Sequence, residues 1–519
     1  MADIAKGVRS FTIGTAISRV LGLVRQIVFA SLFGAGTSTD AFNAAFRIPN
    51  LLRDLFAESA LSAAFIPVLT EQKKKGREAE NLFASNIFNT LFVVVGAISI
   101  AGIFFAPWIV KLLTPGFQHV PGKVDLTGNL TAIQFPFLLL IALAAWAMGV
   151  LNTEGAFFVP SLAPALFNVF SILVPVALYA FIKSRQGNPI YGMAIGVVAG
   201  GLMQLLVQLP LLRRKGFRYR FYLNFRDPEF RAMMALFVPA AIGLSGSRIN
   251  VFVNMVLISL LEERSMTWLD YAFRIQHLPL GLFGIAVGTV ALQAFSRLAA
   301  DGRTGEMKST LFDSLKMVFF LTIPTSALIA FLAGPITSVL YEHGRFRPED
   351  TVAVAKILVL YMIGVPFISA LRNVAAVFYA SKDAKAPMLA SFASVAVNIV
   401  LNLSLMRVLG YRAFPLSATI GAVVNILILY LLLPKKIGAL DHRPLMKYAA
   451  LMTVASVLSG AAAALLFHGL TKIAGVSFLA KLSGVILCGG TGWLLFYGFC
   501  LILGVTEVRS YTKRFLKFR

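Results

Sequence analysis

The sequence predicts an all-α integral membrane protein, on three observations. Only 13% of its 519 residues are charged, about half the share of an average soluble domain. Apolar runs of about 20 residues, each long enough to cross a ~30 Å hydrocarbon core, follow one another from end to end. The ~10-residue alternating segments of a membrane β-barrel are not evident. Helices then remain, because only helices and closed barrels satisfy every backbone group inside lipid.

Taken in order, the runs suggest about 14 transmembrane helices: 10–33, 41–70, 82–113, 129–153, 159–182, 190–212, 232–261, 267–296, 312–340, 351–380, 386–406, 413–434, 448–470 and 478–504. Several are longer than a perpendicular crossing requires, so they must tilt or project. The first is not expected to be a cleavable signal. Lys6 and Arg9 precede it, but Arg19 and Arg25 interrupt it, and no short apolar stretch with a small-residue cleavage site follows. Lys and Arg are concentrated in the loops on the N-terminal side, which places both termini in the cytoplasm. The densest cluster, Arg213, Arg214, Lys215, Arg218, Arg220 and Arg226, lies between the sixth and seventh runs and reads as a linker between halves. The terminal run Arg509, Lys513, Arg514, Lys517 and Arg519 reads as an anchor for topology and anionic lipid.

The halves look like a repeat. Ala45-Phe46-Arg47-Ile48 recurs as Ala272-Phe273-Arg274-Ile275, and Leu51, Leu55, Phe56 and Ala64 recur as Leu278, Leu282, Phe283 and Ala291, all at an offset of 227. Ser18-Arg19 returns as Ser247-Arg248, Pro136-Phe137 as Pro366-Phe367, and Asn168 as Asn398, at nearly the same offset. Two six-helix lobes, 1–222 and 223–440, related by a pseudo-twofold along the membrane normal, are expected. Residues 441–519 would add two helices and a basic cytoplasmic tail. Parallel repeats of this kind are a transporter signature, with the substrate path between the lobes.

The net charge is +24. In a soluble chain that would suggest nucleic acid, but here the basic residues follow the topology of the loops. Cys488 and Cys500 share one apolar run, and the five histidines have no ligand spacing, so neither a disulfide framework nor a metal site is expected. No Gly-rich phosphate loop, HExxH or nucleophile elbow is present, so no enzyme activity and no cofactor are expected. The chemistry lies instead in seven arginines inside apolar runs: Arg19, Arg25, Arg47, Arg53, Arg248, Arg274 and Arg372. Each costs about 2.5–3.5 kcal/mol at a helix centre. Acidic residues nearby are fewer, namely Asp40, Asp54, Glu58 and Asp270. The excess cations require a wet cavity or an anion, and guanidinium forks suit a phosphate or pyrophosphate. Arg47 and Asp54, seven apart, share a helix face and pair as readily as they line a cavity. Arg19, Arg25, Arg53 and Arg274 have no neutralising partner evident nearby and are the expected substrate-binding residues. Glu58 positions an arginine or titrates. Asn398 and Asn402 with Thr419 form a weaker candidate cation site, with interhelical hydrogen bonding ranked ahead of it.

Several stretches resemble the MurJ (MviN) family of lipid II flippases. Ser18-Arg19-Val20-Leu21-Gly22 with Arg25 looks like its first-helix motif. Thr39-Asp40-Ala41-Phe42, Pro49 through Arg53 and Phe56-Ala57-Glu58 look like its second. Gly149 through Asn152 with Pro160, Pro164 and Asn168, then Tyr271 through Arg274, and Phe378 through Ala380 with Asp383, Lys385 and Pro387, extend the likeness over almost the whole chain. The resemblance implies two six-helix lobes plus two helices, within the multidrug/oligosaccharidyl-lipid/polysaccharide exporter superfamily. It implies a multi-pass protein of the bacterial inner membrane that flips lipid II, an undecaprenyl-pyrophosphate glycopeptide, by alternating access for peptidoglycan synthesis. It also implies substrate contacts at Arg19, Arg25, Arg53 and Arg274, with Asp40, Arg47 and Glu58 in supporting or gating roles, and a polyprenyl-tail groove on the last two helices. Expected partners are lipid II, membrane lipids and cell-wall synthesis proteins, with no nucleic acid, and the functional unit is a monomer. Two features depart from the pattern: His277 stands where some members carry an acid, and the eleventh and twelfth runs offer no carboxylate. The rivals are an exporter of another polyprenyl-linked glycan or a drug, a polyprenyl-phosphate phosphotransferase, and a non-transporting scaffold. A drug exporter would have a more apolar or acidic cavity, and a phosphotransferase would need clustered Asp or His for Mg²⁺.

Overall fold

The computed structural model describes residues 2–53, 59–475 and 477–505, with side chains described outside 2–13, 59–60, 240, 242–248 and 474. The described residues form helices and connecting turns, without a strand. Eleven stretches among them are long and apolar enough to cross a membrane, against the fourteen the sequence suggests. One of the eleven, Lys385–Ile437, contains two successive long helices. The chain folds as two compact units that meet in sequence at Thr267 and Trp268.

The first unit contains α1 (Ala2–Phe33), α2 (Thr37–Arg53), α3 (Ser59–Lys75), α4 (Arg77–Leu113), α5 (Lys123–Gln134), α6 (Pro136–Thr153), α7 (Phe158–Ser184), α8 (Tyr191–Leu206), α9 (Leu209–Arg214) and α10 (Pro228–Ser259). A further helix, α11 (Ser265–Pro279), begins in it. Its centre is α6, where Ala142, Ala144, Ala145 and Ala147 are buried. Small side chains let neighbouring helices approach closely, which is how helices associate where lipid removes the hydrophobic drive. Trp146 fills the remaining space, and its indole N–H donates to the Ala84 carbonyl (3.0 Å). Helix α1 packs along α7. Gly14 makes that approach possible, since a Cβ there would lie 2.3 Å from the Ser161 hydroxyl. Helix α10, which the sequence assigns to the second lobe, packs here on α3 and α4.

The second unit continues with α12 (Ile285–Ala300), α13 (Thr304–Phe331), α14 (Ala333–Tyr341), α15 (Pro348–Ala380), α16 (Lys385–Leu409), α17 (Ala413–Leu432), α18 (Pro434–Ile437), α19 (Arg443–Ala474) and α20 (Phe478–Ile502). A π-helical turn, Leu280–Gly284, separates α11 from α12 directly after Pro279. A proline lacks the N–H for the ladder, and such turns re-route the bonds around it. Helix α15 is the hub, packed against α12, α13, α14 and α17. Phe295, Leu311, Val374, Phe378 and Leu429 form its core. The last two long helices dock on α13 through Phe320, Met452, Phe496 and Cys500.

Candidate functional site

In the first unit the intramembrane charges are set by three helices. Arg19 is exposed on α1. The residue before it is tied down, because the Asn168 amide of α7 donates to the Ser18 carbonyl at 3.0 Å. Arg25, six residues on, is half-buried, with its guanidinium 5.2 Å above the Phe167 ring. A ring face attracts a cation through its quadrupole. Arg47 and Arg53 are both half-buried on α2, and Arg53 ends that helix. Asp54 and Glu58 lie outside the described residues, as does the side chain of Arg248.

Asp40, in the first turn of α2, accepts from several donors. One carboxylate oxygen accepts from the Lys123 ammonium (3.0 Å) and the Arg264 backbone N–H (2.8 Å). The other accepts from the Thr267 N–H (3.0 Å) and the Thr267 hydroxyl (2.7 Å). Both Asp40 and Lys123 are about 98% buried as side chains. Removing two ions from water is costly, and it is compensated only when each lone pair and proton finds a partner. Here four donors meet one carboxylate, and the ammonium also stands 4.2 Å over the Phe117 ring. Thr267 lies in the first turn of α11, whose free N–H groups carry a partial positive charge. Asp40 therefore caps α11 from another helix. Beside it, the Thr37 hydroxyl donates to Glu263 (2.6 Å) and the Asn43 amide reaches the Thr267 hydroxyl (3.4 Å).

In the second unit, Arg274 is bonded through Nε to Asp270 at 2.7 Å. The sequence reading treats Arg274 as a cation without a nearby carboxylate, and the structure corrects that. Asp270 stands four residues back on the same helix, where an i, i+4 neighbour faces it. About a third of the Arg274 side chain remains exposed. Arg372 is exposed on α15. Asn398 and Asn402 are brought together, with the Asn402 amide donating to Asn398 Oδ1 (3.2 Å). Thr419 turns away from them to α15, where its hydroxyl donates to the Leu360 carbonyl (3.3 Å).

Sequence reasoning missed Lys123, which lies between the apolar runs 82–113 and 129–153, and it missed Thr267. The signal for Lys123 was weak: an isolated lysine before a helix, with its acid 83 residues away. Thr267 carried a better one, since it stands at the repeat offset from Asp40.

A family model described as "Lipid II flippase MurJ" matches residues 29–484. The chain is 34% identical over 453 residues to the lipid II flippase MurJ of Burkholderia cenocepacia, covering 86% of this chain and 87% of that one. It is 37% identical over 426 residues to a probable lipid II flippase MurJ of Vibrio cholerae, covering 80% of each. A solved structure described as "Lipid II flippase MurJ, inward closed conformation" superposes with a TM-score of 0.75 at 28% identity, over 95% of this chain and 99% of that one. An inward-facing multidrug MATE transporter shares the fold alone, with a TM-score of 0.63 at 15% identity over 85% of this chain and 99% of that one.

Proposed function

The chain belongs to the MurJ family of lipid II flippases, and from that premise we propose that it moves lipid II from the inner to the outer leaflet of the bacterial cytoplasmic membrane. The observation that carries the mechanism is the arginine set of a chain with that membership: Arg19 and Arg25 on α1, Arg53 at the end of α2 and Arg274 on α11. Lipid II presents a pyrophosphate, and a planar guanidinium binds phosphate oxygens in pairs. In this reading Arg274 is aimed by Asp270 and Arg25 is steadied by Phe167, so each reaches the anion with less freedom to lose.

Transport follows alternating access, with both termini in the cytoplasm and lobes of 1–222 and 223–440 exchanging exposure to the two sides. Residues 441–519 then accommodate the polyprenyl tail. The Asp40 network is the gate on the outer side, because α2 cannot leave the start of α11 without stripping three donors from one carboxylate. The protein acts as a monomer on a lipid substrate and needs no cofactor. A membrane potential biases a charged cavity by about 2.3 kcal/mol per charge per 100 mV.

The test is depletion of the host's own flippase and rescue by this chain, with lipid II exposed on the outer leaflet as the readout. Arg53→Ala, expressed at the normal level, is expected to lose rescue, and full rescue by it would remove the arginines from the site. Growth restored without lipid II exposure would assign the chain to another polyprenyl-linked glycan.

A further inference from the structure

The segment between α9 and α10 is a strap held open along α4. The Arg218 N–H donates to Asn81 Oδ1 (3.3 Å) and the Arg220 N–H to the Ser85 hydroxyl (3.1 Å). The Asn89 amide donates to the Tyr222 carbonyl (2.9 Å). Asn86 serves both groups of Asn224, accepting from its N–H (2.9 Å) and donating to its carbonyl (3.0 Å). Alternate residues of the strap are thus paired as a neighbouring strand would pair them. The partner is instead a row of side chains, with Asn81, Ser85 and Asn89 spaced at four residues along one helix face. The Tyr219 hydroxyl also donates to Asn89 (2.8 Å) and Arg220 pairs with Glu78 (2.6 Å).

With its backbone fixed, the strap turns apolar side chains outward. Phe221 is 83% exposed and Phe225 48%, alternating with the exposed Arg218, Arg220 and Arg226. Helix α4 locates this edge. Its exposed apolar residues begin at Phe92 and run to Leu112, a rise of about 30 Å at 1.5 Å per residue, which matches a hydrocarbon core. Asn89 is about one turn before Phe92, so the Tyr222 end of the strap lies at headgroup depth, where aromatic and basic side chains collect.

Phe225 also borders a crevice of about 210 Å³ between α3, α4 and α10, with Leu61, Leu91, Val94, Phe230 and Met233 among its walls. Val94 and Phe225 are both exposed, so the crevice opens to the side. Phe225 and Phe230 are each followed by an exposed arginine, Arg226 and Arg231. The acids nearby are engaged: Asp227 caps α10 and accepts from Tyr222, and Glu229 pairs with Lys75 at 2.6 Å.

The geometry points to a binding site for one anionic phospholipid, with an acyl chain in the α3/α4/α10 crevice and the phosphate on Arg226 and Arg231. The site is separate from the arginines assigned to transport and does not depend on the transported substrate. The occupant is anionic because a zwitterionic headgroup brings its own cation up to the two arginines, while a net negative one gains from both without that repulsion.

Phe225→Trp places a reporter at the crevice. In nanodiscs of fixed lipid number, its emission above that of the parent chain is expected to be quenched by acyl-brominated phosphatidylglycerol at several-fold lower mole fraction than by acyl-brominated phosphatidylcholine. Adding Arg226→Gln and Arg231→Gln should abolish the preference and leave quenching by phosphatidylcholine unchanged, and Val94→Phe should weaken quenching by both. A monodisperse elution profile qualifies each variant for comparison. Equal quenching by the two lipids from the start would overturn the proposal in favour of unselective boundary lipid. Absence of quenching by either would show the crevice closed to chains. Displacement of the brominated phosphatidylglycerol by undecaprenyl pyrophosphate but not by plain phosphatidylglycerol would reassign the crevice to polyprenyl tails.

Discussion

Helices α2 and α11 share Ala-Phe-Arg-Ile and compensate their charges in opposite ways. At the offset of 227, Asp40 corresponds to Thr267, Asn43 to Asp270 and Arg47 to Arg274. In α11 the arginine finds its carboxylate one turn back on the same helix. In α2 that place holds Asn43, whose amide turns to Thr267. The acid of α2 sits nearly a turn earlier, at Asp40, where Lys123 and the backbone at Arg264 and Thr267 take it up. A repeat can therefore place its acid differently in each copy. One acid is met within its own helix, and the other only when α5 and the start of α11 are in place. The local pair orients a side chain for work, while the tertiary one holds segments together.

Breaking the tertiary pair should have the larger effect. Asp40→Ala leaves an ammonium buried and several donors unmatched, and is expected to cost about 3–5 kcal/mol, read as a lowered unfolding midpoint in detergent. Asp40→Ala with Lys123→Met should recover part of that loss. Costs that merely add would mean the two do not act as a pair.

The local pair should respond more mildly. Asp270→Asn is expected to cost about 1.5 kcal/mol, the worth of a hydrogen bond to a charged group. It should lower lipid II exposure in the rescue assay less than Arg274→Ala does, because the cation survives without its aim. An equal loss in both variants would give Asp270 a role beyond orienting Arg274.

The smallest effect sharpens the same contrast outside the membrane, where both units hold carboxylates low. Partial burial pushes Glu154 up, but hydrogen bonds from Lys73 and Arg77 outweigh it and leave it below its ordinary value of 4.5. Asp383 is lowered by the Lys436 ammonium (2.9 Å), then by the Ala386 N–H (3.2 Å). A lowered carboxyl stabilises the fold above its unfolded value, and that stability fades as pH falls through the folded one. The difference in unfolding midpoint between the parent chain and Glu154→Gln should therefore be full at pH 7 and shrink as the pH drops below about 4.5. A difference that grows on acidification would reverse the assignment.

Much of the molecule was legible from its sequence alone. Apolar runs long enough to cross lipid dictate helices, because a chain in lipid must satisfy its own backbone, and that demand is met within each segment. The arginines of α1, α2 and α11 were equally visible, since a cation in an apolar run stands out whatever surrounds it. Even the Asp270 partner of Arg274 was available from spacing. Tertiary structure alone decided what joins distant segments. Lys123 reads as a loop charge until it meets Asp40, and Asn81, Ser85, Asn86 and Asn89 read as polar interruptions of a helix until the strap lies along them. Helical periodicity places a side chain on a face, but the partner of a buried polar group is set by whichever remote segment the fold brings within about 3 Å.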